Sequence, residues 1–386
     1  MTRRQAIIGT AGMLASGGCL SSGTDTSEPV FGRTDALWPL LGQNQQNTNS
    51  ASTTIPSGAL ELQRIFRASP GDRFGAPIAV GDNVLLSRAG TDSHAPGAFA
   101  FRSDSGEELW HAPDVVDYTT PSIFGETAVF SGDGATAAVS IDDGTVHWRQ
   151  NIGGSGKYKT HLKQDDSIIV AGGRHVVSLD AYTGEERWRS KKLGVPSGFA
   201  TDGQTVFVTH GYDGESGLVA LDLATGEPVW EGPVDSAAGY PVVGDGLVLV
   251  RDEGRLTALD ASNGRIQWTF EIASSATAPP ALSPDKTSVV YGGANEPKTH
   301  VLDLESGTQQ WAVDAPSDSQ PLVTKDSVFL LLFDNLLRVG RDEQEVVDSI
   351  GLPTEPTSPL TMSKRGLLFT GRTGDRTYYN YQMVTK

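Results

Sequence analysis

Gly-x-x-x-Trp occurs six times in this chain, at Gly106/Trp110, Gly144/Trp148, Gly184/Trp188, Gly226/Trp230, Gly264/Trp268 and Gly307/Trp311. Successive tryptophans stand 38, 40, 42, 38 and 43 residues apart. A unit of that length is one supersecondary piece that cannot bury its own apolar faces, so a chain written this way must stack its units into an array. Six of the seven tryptophans obey the rule, so the spacing reflects structure rather than composition. Four residues ahead of the glycine stand Asp180, Asp222, Asp260 and Asp303, with Arg102 in that place in the first copy. The second copy, Ser140–Trp148, reads two residues shorter, with Asp142 out of step.

Each copy also opens alike. Pro77, Pro121, Pro241, Pro280, Pro321 and Pro359 each precede a short apolar run, a tight polar pair such as Gly81-Asp82 or Gly244-Asp245, and a β-branched run. One copy therefore reads as four antiparallel strands joined by short turns. In the copy ending at Trp268, Leu259 faces one side of the third strand and Asp260 leaves it, free to accept backbone N–H groups of the next turn. Gly264 supplies a positive φ, and Trp268 falls on the outermost strand. There its ring can wedge against the next copy while the indole N–H finds a backbone acceptor. Burying ~200 Å² of indole contributes roughly 5 kcal/mol gross.

Four-stranded units at a period near 40 predict a β-propeller. The 330 residues from Ser57 onward divide into eight such units. Two lack the tryptophan: Pro321–Ile350, with a degraded fourth strand at "EVVDSI", and the C-terminal stretch from Ser358, which supplies only three strands. The fourth strand of that last blade is expected from "ALELQRIFRA", Ala59–Ala68, which would close the ring and remove its open edge. The expected fold is thus an all-β, eight-bladed propeller over residues 58–386, preceded by an address (1–19) and a polar linker and lead-in segment (20–57).

The address has a charged start, Arg3-Arg4, an apolar, Gly-rich stretch from Ala6 to Gly18, and then the chain's single cysteine, Cys19. The paired arginines resemble a twin-arginine export signal, and Gly17-Gly18-Cys19 resembles a lipoprotein cleavage site, although Ser16 stands where a large aliphatic residue is usual. Cys19 is read as a lipid-attachment site, the alternative being a small apolar residue of a discarded peptide. A lipid there would anchor the protein without a spanning helix, on the extracellular face of the cell membrane. A lone cysteine also leaves stability to packing, with no intramolecular disulfide.

Net charge is −17 and only 10 of the 30 basic residues are lysine. Such a surface excludes nucleic acid as a partner, because phosphate contacts need Lys and Arg. The balance resembles that of proteins from salt-loving archaea, whose self-repulsion concentrated salt screens.

The pattern Ala-Leu-Asp-x-x-x-Gly-x-x-x-Trp resembles the repeat of pyrroloquinoline-quinone-type propellers. The resemblance covers about 330 of the 386 residues and implies that the tryptophans dock one blade on the next. "WPLLGQNQQNTNSAS", from Trp38, is similar to a lead-in found in secreted archaeal members. The family includes quinone-dependent alcohol dehydrogenases and cofactor-free scaffolds of outer-membrane β-barrel assembly. The dehydrogenases carry an adjacent cysteine pair, a calcium held by Glu, Asn and Asp, and long insertions. A chain with one cysteine and 38–43-residue blades matches the cofactor-free branch, with no cofactor and no metal. The function this implies is a non-catalytic, monomeric scaffold binding a protein or small ligand at a propeller rim. Two alternatives stay open: a quinone-dependent dehydrogenase, and a carbohydrate-binding surface protein using the tyrosines of "RTYYNY", Arg376–Tyr381.

The one basic and aromatic cluster, "GKYKTHLK", holds Lys157, Lys159, His161 and Lys163. It is either a contact for an acidic partner or a loop leading into its blade. The seven histidines show no metal-ligand spacing, and no nucleophile-elbow sequence accompanies the serines.

Overall fold

The computed structural model describes residues 28–31, 38–55, 60–67, 73–89, 96–113, 115, 119–132, 134–154, 161–212, 215–234, 238–252, 254–271, 278–293, 296–375 and 377–385. They form eight antiparallel blades in a ring. Blades 1 to 7 span 78–113, 122–151, 162–189, 196–231, 238–271, 281–313 and 322–351, each a four-stranded meander running outward from the axis. Blade 5 is typical: Ala238–Gly244 innermost, then Leu247–Asp252, Arg255–Asp260 and Ile266–Glu271 outermost. Middle strands pack against a neighbouring blade on both faces, so they are buried along most of their length. Thr127–Gly132, for instance, is buried at all six positions. Outer strands keep only alternate residues covered, as strands with one wet face do.

Blade 8 is the mixed one. Thr361–Ser363, Gly366–Arg372 and Tyr378–Thr385 are its inner strands, and Leu60–Arg67 pairs antiparallel with the last of them, from Leu60 opposite Thr385 to Arg67 opposite Tyr379. The N-terminal strand therefore closes the ring as the sequence predicts. One further pair, Glu355–Pro356, joins the same sheet beside Gly366–Arg372.

The repeat motif divides between two interfaces. Five of the six repeat indoles, from Trp110 to Trp268, reach forward over the next blade's turn. Trp110 Nε1 donates to Ile141 O (2.9 Å), Trp148 to Ala181 O (2.7 Å), Trp230 to Ala261 O (3.0 Å) and Trp268 to Leu304 O (2.9 Å). The glycine of the receiving turn lies under the ring. A Cβ built on Gly144 would stand 2.8 Å from Trp110, on Gly184 2.6 Å from Trp148, and on Gly264 and Gly307 2.5 Å from Trp230 and Trp268. Gly226 faces Trp188 in the same way. These glycines also hold φ between 69° and 76°, so two independent constraints exclude a side chain. Trp110, Trp148 and Trp268 are buried, and Trp188, Trp230 and Trp311 half-buried.

The turn itself is built by the aspartate. Asp180 Oδ1 accepts from Tyr182 N and Thr183 N (both 2.9 Å), Asp222 Oδ1 from Ala224 N and Thr225 N, Asp260 Oδ1 from Ser262 N, and Asp303 Oδ1 from Ser306 N. In the second copy the register is full length rather than two residues short. Ser140 N donates to Thr145 O and Gly144 N to Ser140 O, the same ladder that Asp180 and Gly184 make. Ser140 thus stands at the aspartate position, and its Oγ accepts from Asp142 N at 3.3 Å.

Blade 7 ends the relay. Gly340 and Gln344 repeat the turn's ladder, Gln344 at φ 59°, so Gln344 occupies the glycine place and Asp348 the tryptophan place. Closure between blades 8 and 1 joins apolar packing of Leu368 and Tyr378 with Leu86 and Phe99 to polar contacts, Thr361 Oγ1 to Pro77 O (2.7 Å) and Arg365 to Asp82 (3.0 Å). Within blade 8, Tyr381 stacks on Phe369 at 5.2 Å, and Arg64 covers Tyr379 at 5.6 Å.

Three glycine substitutions separate the two constraints. Gly246→Ala, at φ 75° with nothing within 4 Å, should lose ~1–2 kcal/mol from backbone strain alone. Gly264→Ala must also displace Trp230 and should lose ~3 kcal/mol or more. Gly351→Ala, with no positive φ and open space, should stay within ~0.5 kcal/mol. Denaturant unfolding of the three variants checks the order.

Candidate functional site: a blind central funnel

Inner strands begin on one face of the ring, where each blade crosses over to the next, and end on the opposite face, which carries the Asp turns. The Asp-turn face is sealed by the chain's own N-terminal segment. Residues Trp38 to Ile55 run round the channel and bond to successive inner strands. Ile123 N donates to Pro39 O, Lys163 N to Gln45 Oε1, Thr201 N to Gln45 O, Val243 N to Gln46 O, Leu282 N to Thr48 O and Val323 N to Asn49 O, at 2.8–3.0 Å. Blades 2 through 7 are thereby touched in order. Arg338 then donates to Ile55 O at 3.0 Å, delivering the chain to its outer strand in blade 8.

This strap is buried: Trp38 is 0% exposed and Asn47, Thr48 and Asn49 are 1–2% exposed. Asn47 Nδ2 donates to Phe199 O (2.5 Å) and Pro241 O (3.0 Å), and Asn49 Nδ2 to Pro321 O (2.5 Å). Asn47 and Asn49 take φ of 55° and 51°, the left-handed region that asparagine enters more readily than most residues. The amide run "NQQNTN" suits this task because each amide side chain both donates and accepts, satisfying strand-end groups that no further strand can reach. Trp38, the tryptophan outside the repeat, belongs to the core cluster that includes Ile78, Ile123, Leu322 and Met362 of four inner strands.

On the crossover face the channel stays open as a cavity of about 490 Å³. Its lining includes Leu41 of the strap, the apolar wall residues Phe74, Val195, Tyr240 and Pro279, and a set of hydroxyls from Thr119, Thr120, Ser197, Ser319 and Ser358. Asp318 is the one charged residue of the lining among the described residues. Gln320, 6% exposed, is spent on Pro280 O and Asn47 O. A second cavity of about 470 Å³ continues outward between blades 7 and 8, sharing Asp318, Ser319, Thr357, Ser358 and Pro359 and ending at Phe333.

The residues singled out from sequence are distributed as follows. The six repeat tryptophans lie between blades, away from the funnel. Arg3, Arg4, Cys19, Lys157 and Lys159 fall outside the described residues. His161 is 1% exposed, so it belongs to no surface patch. Its Nδ1 is 2.8 Å from Ser122 Oγ and its Nε2 2.9 Å from Ser131 Oγ, which in turn lies 2.6 Å from Thr136 Oγ1. This chain clasps blade 3 to blade 2, and burial lowers the His161 pKa to about 3, so the ring is neutral. Lys163 instead reaches the Asp-turn face, its Nζ over the Phe31 ring at 5.1 Å. Tyr378 and Tyr381 are buried in blade 8 and form no rim platform. Among the described residues no group of three or more His, Cys, Asp or Glu is placed to hold a metal ion, and no helix is long and apolar enough to cross a membrane.

Fold and repeat together define an eight-bladed propeller of the pyrroloquinoline-quinone-type repeat. A family model described as "Outer membrane protein assembly factor BamB" matches residues 98–237 and 172–311, more than half of the chain, and the protein belongs to this family. A relative of that name from Burkholderia pseudomallei is 28% identical over 279 residues, covering 66% of this chain and 70% of the relative. The crystal structure of BamB from Moraxella catarrhalis superposes with a TM-score of 0.61 at 19% identity, over 83% of this chain and 98% of that one. Quinohemoprotein alcohol dehydrogenase from Comamonas testosteroni gives 0.68 at 14% identity, over 91% and 81%, a likeness of fold alone. The funnel does not suit that enzyme's class of cofactor. A polycarboxylate quinone needs cationic partners and a calcium needs clustered oxygen anions, and among the described residues the lining includes no Lys, Arg or His and a single carboxylate.

The His161 clasp sets a pH dependence. Its folded pKa is depressed below the usual 6.5, so the unfolded chain binds the extra proton. The stability it confers is full above about pH 6.5 and falls as pH drops toward 3, by on the order of 4–5 kcal/mol across that window. Denaturant unfolding at successive pH values should show wild type losing this increment relative to His161→Gln.

Proposed function

We propose that this protein is an exported, membrane-anchored, non-catalytic scaffold that holds a protein partner at the crossover face of its propeller. The observation that carries the reading is the blind funnel itself: a fixed, concave surface of apolar and hydroxyl groups, set in a ring locked blade to blade. Among the described residues its lining offers no nucleophile beside a base, the pairing on which covalent catalysis relies. Membership of a family named for an outer-membrane assembly factor supports protein as the kind of partner.

The route of the chain supports an orientation. Val30 O accepts from Glu126 N and Thr127 Oγ1, both at 3.1 Å, at the first turn of blade 2. The chain therefore enters the ring on the Asp-turn face. Ten residues link Cys19 to Pro29, a reach of at most ~35 Å. A lipid on Cys19 would hold the sealed face toward the membrane and turn the funnel outward, on the extracellular side.

Four outcomes are expected. Arg3→Lys/Arg4→Lys should leave the protein inside the cell, read by fractionation. Cys19→Ser should move it from the membrane fraction to the medium. Affinity capture from native membranes in high salt should retain a specific protein with the wild type. Quinone and calcium added to purified protein should give no dye-coupled turnover of alcohols or sugars, and turnover would overturn the scaffold reading.

A further inference from the structure

Several features at the open mouth point one way. Among the described residues Phe333 is the most exposed large apolar side chain, at 63%. It stands at the outer end of the groove that leaves the funnel between blades 7 and 8. A lone exposed apolar residue is ordinary, but this one is held out by design of the turn. Phe333 N donates to Asp318 Oδ2 at 2.7 Å, and Leu332 N to Asn335 O at 2.8 Å. Fixing a ring before a partner arrives removes part of the ordering cost of binding. Asp318 stands at the junction of funnel and groove, lining both.

Charge narrows the occupant. Among the described residues, the lining of both cavities includes Asp318 and Glu355 and no Lys, Arg or His. Glu355 is committed to Arg372 through two contacts at 3.0 and 3.1 Å, leaving Asp318 as the carboxylate that faces a ligand. A phosphate, nucleotide or acidic peptide would meet the Asp318 carboxylate with no cation beside it among the described lining residues, whereas a cation would be paired. Shape narrows it further. The strap closes the far end, so nothing threads through, and the floor at Leu41 receives a side chain that enters from above.

We propose that funnel and groove together take an extended partner segment in which a lysine or arginine sits beside a large apolar side chain. The apolar group enters the funnel between Leu41, Phe74 and Tyr240, the cation pairs with Asp318, and the segment leaves over Phe333. This rests on the scaffold reading and gives its partner a chemistry and a seat.

The test uses the full-length mature protein and short acetylated, fluorescently labelled peptides carrying a central Phe-Lys or Phe-Glu pair, read by polarisation. Phe-Lys should bind and Phe-Glu should bind at least about tenfold more weakly. Asp318→Asn, which keeps an oxygen for Phe333 N, should weaken Phe-Lys about three- to tenfold and narrow the gap between the peptides. Phe333→Ala should weaken both, and Lys286→Ala on the sealed face neither. Equal binding of the two peptides, no binding of Phe-Lys to wild type, or unchanged affinity in both variants would overturn the proposal. Membrane capture separates the two readings. A partner retained equally by wild type, Phe333→Ala and Asp318→Asn sinks this inference and leaves the scaffold standing, whereas a wild type that retains no partner sinks the scaffold.

Discussion

An indole ring laid on a glycine is the contact on which this molecule depends. A blade has two apolar faces and no means of covering either alone, so each must be pressed against a neighbour at fixed distance and angle. The tryptophan of one blade and the Asp-to-Gly turn of the next do this together. The carboxylate shapes the turn, the glycine leaves room for the ring, and the carbonyl after the aspartate receives the indole N–H. The aspartates run below their usual pKa. For Asp222, Asp260 and Asp303 the leading cause is a hydroxyl bond from Thr225, Ser262 or Ser306, with backbone N–H groups adding to it. Asp180 works against desolvation and is lowered by Arg187 and by backbone bonds.

A ring built only from such contacts would have no natural end. The relay stops at blade 7, where Gln344 and Asp348 replace its two partners, and the molecule changes method there. Backbone pairing of Leu60–Arg67 with the C-terminal strand closes blade 8, and the strap adds a second tie, bonding to blades 2 through 7 before its chain becomes that closing strand. The N-terminal portion of the sequence is thus both latch and washer. It also makes the two faces unequal, with one sealed by backbone and amide groups and the other open over an apolar floor.

That asymmetry is what a binding scaffold needs and what a symmetrical channel lacks. A partner can be received on one face while the other is occupied by the route to the N-terminus. The acidic character of the whole chain and the Asp318 carboxylate at the funnel mouth act in the same direction, against anionic ligands. The only buried histidine clasp, at His161, lies between blades 2 and 3 rather than in the funnel, so among the described residues its protonation bears on the ring's integrity instead of on the proposed seat.

The spacing of Gly and Trp determined the blade, its four strands, the count of eight and the mixed closure, because every one of those follows from local turn chemistry and a fixed period. Even the hydrogen bond of the indole was foreseeable, since a buried N–H must find an acceptor. Other features were decided only in three dimensions. Gln344 and Asp348 occupy their motif places by hydrogen-bond register rather than by residue type, and Ser140 stands in for aspartate for the same reason. The amide-rich lead-in reads as polar linker because its amides satisfy carbonyls 152 to 272 residues away in sequence, a relation no local pattern encodes. Lys163 and His161, two residues apart in one basic run, part because His161 precedes the inner strand and is buried against Ser122 and Ser131 of blade 2, whereas Lys163 lies within the strand and reaches Phe31 at the Asp-turn face. The funnel has no motif at all: its lining residues come from the crossovers of seven blades and the strap, and only the closing of the ring brings them together.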